Sequence, residues 1–128
     1  MIKKTINYID YNGVERKEDF YFNLSKAELL EMEAGTTGGF AEMVQRMIDA
    51  QDTPALIKVW KEILLKAYGE KSADGRRFIK TEELSAAFAQ TEAYSELFME
   101  LALNSDKAAE FVKGVIPANL EKNLIEQK

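Results

Sequence analysis

Asp10-Tyr11-Asn12-Gly13 interrupts the first alternating stretch of this chain and directs it to turn back on itself. Residues 2–22 therefore read as a β-hairpin, because turn residues between period-two runs are a hairpin signal. Two registers compete. A two-residue Asn12-Gly13 loop pairs Tyr11 with Val14 and scatters the apolar residues over both faces. A three-residue loop, a type I turn with Gly13 as the left-handed bulge residue, pairs Asp10 with Val14. In the second register Ile2, Ile6, Tyr8, Val14, Phe20 and Phe22 share one face. The opposite face carries Lys3, Thr5, Asn7, Lys17 and Asp19, with Ile9 and Tyr21 as apolar exceptions. A slip of one residue exchanges the faces, so the bulged register is the expected one. A lone hairpin is marginal in water, so helices or another subunit must cover the face that holds Phe20 and Phe22.

The rest of the chain reads as helices. Ser25-Lys26-Ala27-Glu28 is a capping box that opens a helix from about Lys26 to Glu33, stopping near Gly35. Thr36-Thr37-Gly38-Gly39 reads as a connector, since it lacks the Lys-Ser/Thr ending of a phosphate-binding loop. A second helix, about Phe40 to Ala50, has Phe40, Met43, Val44, Met47 and Ile48 on one face. Its methionines suit either a core or an adaptable binding surface. Asp52-Thr53-Pro54 opens a third helix, whose stripe is Leu56, Ile57, Trp60, Ile63, Leu64, Ala67 and Tyr68, with Gly69 as the expected C-cap. That stripe is the longest in the chain and holds its single Trp, so this helix is expected at the centre of the core.

Residues 70–80 read as a loop. A fourth helix follows at about Glu82 to Gln90, with Leu84, Ala87 and Phe88 inward. A fifth, about Glu92 to Leu103, turns Tyr94, Leu97, Phe98, Leu101 and Ala102 inward. Ser105 or Asp106 is expected to cap a last helix to about Lys113. Gly114 and Pro117 end it, with Val115 and Ile116 as an apolar latch between them. The fold class is α+β, an N-terminal β-hairpin packed against a bundle of about six short α-helices. Residues 1–117 are expected to form one domain and 118–128 a flexible or partly helical tail marked by Leu120 and Leu124.

Absences narrow the function. The chain has no Cys and no His, which removes thiol chemistry, the commonest general base and the commonest transition-metal ligand. A net charge of −5 argues against non-specific nucleic-acid binding. No apolar run approaches the roughly 20 residues that span a bilayer, and no signal-peptide core is present, so a cytosolic protein is expected. Glu70 to Gly75, followed by Ile79 and Glu83, has an order of residue types like an EF-hand loop. Ile79, however, stands four residues after Gly75 rather than two, and Arg76-Arg77 put cations where calcium needs negative potential. Adjacent acids such as Glu18-Asp19 and Glu82-Glu83 give no reason to place two carboxyls across a cleft. No enzymatic activity, metal or cofactor is expected.

Arg76-Arg77-Phe78 has two readings. Arg and aromatic residues dominate interface hot spots, which makes it a contact patch. Alternatively, Phe78 anchors the loop while the arginines pair with Glu82, Glu83 or helix carbonyls; short edge pairing by Arg77 to Lys80 is a third arrangement the residues allow.

Longer phrases carry a resemblance. They are Phe20-Tyr21-Phe22-Asn23-Leu24-Ser25-Lys26-Ala27-Glu28-Leu29, Lys71-Ser72-Ala73-Asp74-Gly75-Arg76-Arg77-Phe78-Ile79-Lys80, Gln90-Thr91-Glu92-Ala93-Tyr94-Ser95-Glu96-Leu97-Phe98-Met99-Glu100-Leu101 and Phe111-Val112-Lys113-Gly114-Val115-Ile116-Pro117. In this order they resemble the tail assembly chaperones of long-tailed bacteriophages, especially those of Gram-positive hosts, over about Thr5 to Pro117. The resemblance implies a non-enzymatic protein that binds the tape measure protein, keeps its long apolar helices from aggregating and helps recruit tail tube subunits. It implies action in the host cytoplasm and absence from the mature virion. Many such chaperones are made in two lengths by a ribosomal frameshift, and this chain would be the shorter. A virion structural or head-tail connector protein is the alternative. The expected partners are the tape measure protein, the major tail tube protein and further copies of the chain, with no nucleic acid and no membrane. Tyr21, Arg76, Arg77 and Phe78 are the expected partner contacts.

Overall fold

Strands β1 (Ile2–Ile9) and β2 (Glu15–Phe22) pair antiparallel, with Ile2 opposite Phe22 and Ile9 opposite Glu15. This is the bulged register. The Asp10 amide donates to the Val14 carbonyl and the Gly13 amide to the Asp10 carbonyl, each at 2.9 Å, while Gly13 takes a φ of +78° that glycine adopts at no steric cost. The Asp10 carboxylate fastens the turn by accepting from the Asn12 and Val14 amides and from Arg16. The computed structural model describes residues 1–104, 106–108 and 110–111.

Five helices follow in the described residues: α1 (Lys26–Ala34), α2 (Phe40–Asp49), α3 (Thr53–Ala67), α4 (Glu82–Ala89) and α5 (Glu92–Leu103). Residues 106–108 and 110–111 are helical again. The caps explain the starts. Ser25 and Glu28 complete a reciprocal capping box at α1, and Asp52, Thr81 and Thr91 each accept an amide of the first turn of α3, α4 and α5. At the last segment the cap is Asn104, whose Oδ1 accepts from the amides of Asp106 and Lys107 at 3.1 Å, rather than Ser105 or Asp106. Asn104 already has the extended backbone of a capping residue, with φ −138° and ψ 102°. The expected end of that helix at Lys113, the Val115-Ile116 latch and the tail from residue 118 lie outside the described residues.

Residues 70–80 are more ordered than a loop. Strand β3 (Tyr68–Lys71) leaves α3 without a break, and β4 (Phe78–Ile79) folds back on it. β3 pairs with β2 through Tyr21–Gly69 and Phe22–Tyr68, giving one antiparallel sheet in the order β1-β2-β3-β4. The α+β expectation therefore holds with two strands added. Gly69 is a strand residue and not a helix cap. The cap is Tyr68, in extended conformation, whose amide closes the last turn on Leu64. The position requires glycine because a Cβ there would stand 2.7 Å from the Ile79 carbonyl oxygen.

The core lies between one face of the sheet and α1, α3, α4, α5 and the segment ending at Phe111. Its middle is aromatic. Tyr68 stacks on Phe88 at 4.2 Å between ring centroids, and Phe22 meets Phe88 at 5.7 Å and Phe111 at 5.2 Å. Aromatic contacts of this geometry add about 0.5–1.5 kcal/mol each beyond buried area. Two expectations change here. Trp60 is not the centre of the core but half-buried at its margin, because α3 turns Leu64 and Ala67 toward the sheet and Val59 to another buried side. Val14 shares the core face of the hairpin yet is 51% exposed, since the packed side chains stop at Tyr8 and Phe20 and the tip runs on beyond them.

Candidate functional site

Of Tyr21, Arg76, Arg77 and Phe78, the sheet turns Tyr21 and Phe78 away from the core, while Arg76 and Arg77 lie in the turn between β3 and β4. Alternation places Tyr21, Gly69, Lys71 and Phe78 on that outward face, because their neighbours Phe22 and Tyr68 are buried on the other side. The Lys71 ammonium lies 4.5 Å from the centroid of the Tyr21 ring. The Phe78 ring and the Lys80 stem close over the bare backbone of Gly69. At the β3–β4 turn the Gly75 amide donates to the Ser72 carbonyl and the Ser72 amide to the Arg77 carbonyl, both at 2.9 Å. Gly75 has a φ of +74°. Asp74 Oδ1 accepts from the Ser72 hydroxyl and the Arg76 amide, which holds its carboxyl below the usual carboxylate range. That oxygen serves the turn. Both arginine side chains are exposed and, among the described residues, neither forms an ion pair. Phe78 thus acts as an anchor, while the expected pairing of the arginines with Glu82 or Glu83 is not what the structure shows.

The cation fixed in this region is Lys80. Its ammonium donates to Glu28 Oε1 at 2.6 Å and to the Asn23 carbonyl at 2.9 Å, which ties the start of α1 to the end of β4. Burial opposes ionisation of Glu28, but the Lys80 ammonium and the Ser25 amide outweigh it and hold the carboxyl below its ordinary range.

A second feature shares no residue with this face. Between α3 and α5 runs a groove of about 810 Å³. Leu56, Ile57, Trp60 and Leu64 line one wall, and Phe98, Met99, Leu101, Ala102 and Leu103 the other, with Ala108 closing one part. Ile57 is 44% exposed, Met99 49% and Leu103 78%. Most of these residues read from sequence as core, because apolar residues at helical spacing usually meet a partner element. Here the α3 stripe is wider than its neighbours cover. Met99 and Leu103 escaped the sequence reading altogether. Their signal was their position: four residues apart and just off the inward stripe of α5, where a solvent-facing helix normally carries charge. The groove has the apolar lining, drawn from two helices, that helix-binding grooves share.

Two further observations bound the chemistry. Among the described residues no group of three or more carboxylates is placed to hold a metal ion, and no helix is long and apolar enough to cross a membrane. The sequence of the chain matches the family described as phage tail assembly chaperone over residues 1–128. The chain belongs to that family. The match extends past Pro117, so residues 118–128 fall inside it. No curated protein matches the chain, and no solved structure does. As a tail assembly chaperone, the chain has proteins of the phage tail as its partners. The family points to a non-enzymatic role.

Proposed function

We propose that this tail assembly chaperone binds the tape measure protein, keeps its long apolar helices soluble, and helps bring tail tube subunits to it. The observation that supports this reading most is the α3–α5 groove. Ile57, Trp60, Phe98, Met99 and Leu103 line an apolar cleft of the kind that takes an amphipathic helix, on a chain that carries a net charge of −5. A tape measure protein offers many such faces in series, so several chaperone copies would act along one client and self-associate on it. The outer sheet face with Tyr21 and Phe78, together with the exposed Arg76 and Arg77 of the adjoining turn, is the proposed contact between neighbouring copies or with tube subunits. The chaperone would work without catalysis in the host cytoplasm and leave before the virion is complete.

Co-expression with the tape measure protein tests this. The wild-type chain should shift that client from the insoluble to the soluble fraction. Leu103→Asp, at a side chain already in water, should remove this effect and leave the fold intact. Equal rescue by Leu103→Asp and an Ile57→Asp/Met99→Asp double variant would rule out the groove as the client site. Abundant copies of the chain in purified mature particles, seen by mass spectrometry, would instead support a virion structural protein.

A further inference from the structure

We propose that the tip of the first hairpin of one copy docks into the α3–α5 groove of a second copy, so that the free chain associates head to tail. Among the described residues eight large apolar side chains are exposed. Three of them, Ile9, Tyr11 and Val14, stand at the hairpin tip, and three more, Ile57, Met99 and Leu103, stand on the walls of the groove. Most of the exposed apolar surface is thus gathered into one convex feature and one concave one, and gathered patches mark contact sites. The tip is rigid. The Asp10 carboxylate accepts from the Asn12 and Val14 amides, and the Tyr11 hydroxyl donates to the Glu92 carboxylate at the start of α5. A knob already held in shape loses little freedom on docking. By alternation Ile9 and Val14 leave opposite faces of the hairpin, so a tip entering end-on meets one helix wall with each. Tyr11, 76% exposed, leads it, and tyrosine is a frequent interface anchor.

A copy does not fill its own groove. Tyr11 is tied to Glu92 in the first turn of α5, whereas the groove is lined by Phe98 to Leu103, about 9–16 Å further along that helix. Groove set on groove across a two-fold axis would leave two hollows face to face, and unfilled space forfeits packing contacts. Tip in groove is a heterologous contact, in which every copy offers one of each surface and the association can extend. Three side chains bury less than the roughly 800 Å² per partner of a stable complex, so the contact is weak and gives way to a helix that fills more of the groove. That such a helix is the client's rests on the proposed function; that the tip docks in the groove does not.

Sedimentation velocity of the full chain should show a mean mass that rises with concentration up to about 1 mM. The emission of Trp60, the single Trp and a groove residue, should move to the blue in step. A tip variant, Tyr11→Lys/Val14→Lys, and a groove variant, Leu103→Asp, change exposed side chains, and each alone should associate at least about tenfold more weakly than wild type. Mixed in equal amounts, they should form a dimer and stop there, because one intact tip meets one intact groove and neither end can extend. That dimer also shows that both variants are folded. A mixture that stays monomeric while wild type associates overturns the proposal. So do variants that associate as wild type does, or a wild-type chain that is monomeric at about 1 mM. The client assignment fails separately: if the mixture dimerises but Leu103→Asp still keeps the tape measure protein soluble, the docking stands and the groove is not the client site.

Discussion

A methyl group at Gly69 would stand 2.7 Å from the Ile79 carbonyl oxygen and 2.8 Å from the edge of the Phe78 ring. Backbone cannot retreat as a long side chain can, so Gly69→Ala should separate β4 from β3 and cost about 1–3 kcal/mol, the usual range for overpacking. Denaturant melts would show it as a lower midpoint. Gly75→Ala meets open space but keeps a φ of +74°, so its cost of about 1–2 kcal/mol would come from backbone strain alone. A Gly69→Ala protein as stable as wild type would show that the β3–β4 pairing is dispensable. At the same scale, Glu28 links α1 to Lys80. Its carboxyl is held below the ordinary carboxylate range, so its contribution is present above the unfolded-state value and fades as pH falls through the depressed one. Glu28→Gln keeps the capping geometry but loses the charge. It should cost about 1–2 kcal/mol near neutral pH, and the gap to wild type should close in acid. A gap that stays constant from neutral pH into strong acid would count against the Lys80 pairing.

Elements differ in how readily they were read from the residues. The first hairpin was legible to its register because two independent signals agreed there: the turn chemistry of Asp10 to Gly13 and the side on which Phe20 and Phe22 had to fall. The second hairpin was not. β3 pairs with its neighbours through two residues at each side, too short a run for alternation to show, and its loop is one residue longer than the first. Helix α3 also passes into β3 without a breaking residue, so Gly69 read as the natural end of a helix. The candidate site was legible in part. Arg76, Arg77, Phe78 and Tyr21 were named from residue type; the sheet puts Tyr21 and Phe78 on one face and leaves the arginines in the turn before β4. The groove was hidden because periodicity says that a stripe is apolar but not whether another element covers it. The second hairpin also gives a prediction of its own. Arg76→Glu/Arg77→Glu removes two exposed side chains without ion pairs among the described residues, so the denaturation midpoint should not move. Association between copies on the client, followed by sedimentation, should weaken. A collapse of the fold would instead show that the arginines brace the turn.

Across the whole molecule the packing is uneven, and this sets where it opens. Ile6, Phe22, Leu64, Phe88, Leu97, Leu101 and Phe111 join the sheet to α3, α4, α5 and the last described residues in one buried cluster. Helix α2 supplies no fully buried side chain among those described, and Met43, Val44 and Met47 are only half-buried. Regions with few buried apolar contacts open locally at lower free energy than the core. In amide exchange followed by mass spectrometry, peptides from residues 40–50 should therefore exchange at least about tenfold faster than those from β1, β2 and α5. Uniform protection across the chain would mean that α2 is part of the main cooperative unit. The same measurement locates the client. A helix seated between α3 and α5 should slow exchange in residues 53–67 and 92–103 and leave residues 40–50 unchanged. If α2 instead gains the protection, its methionines are the binding surface and the groove is not.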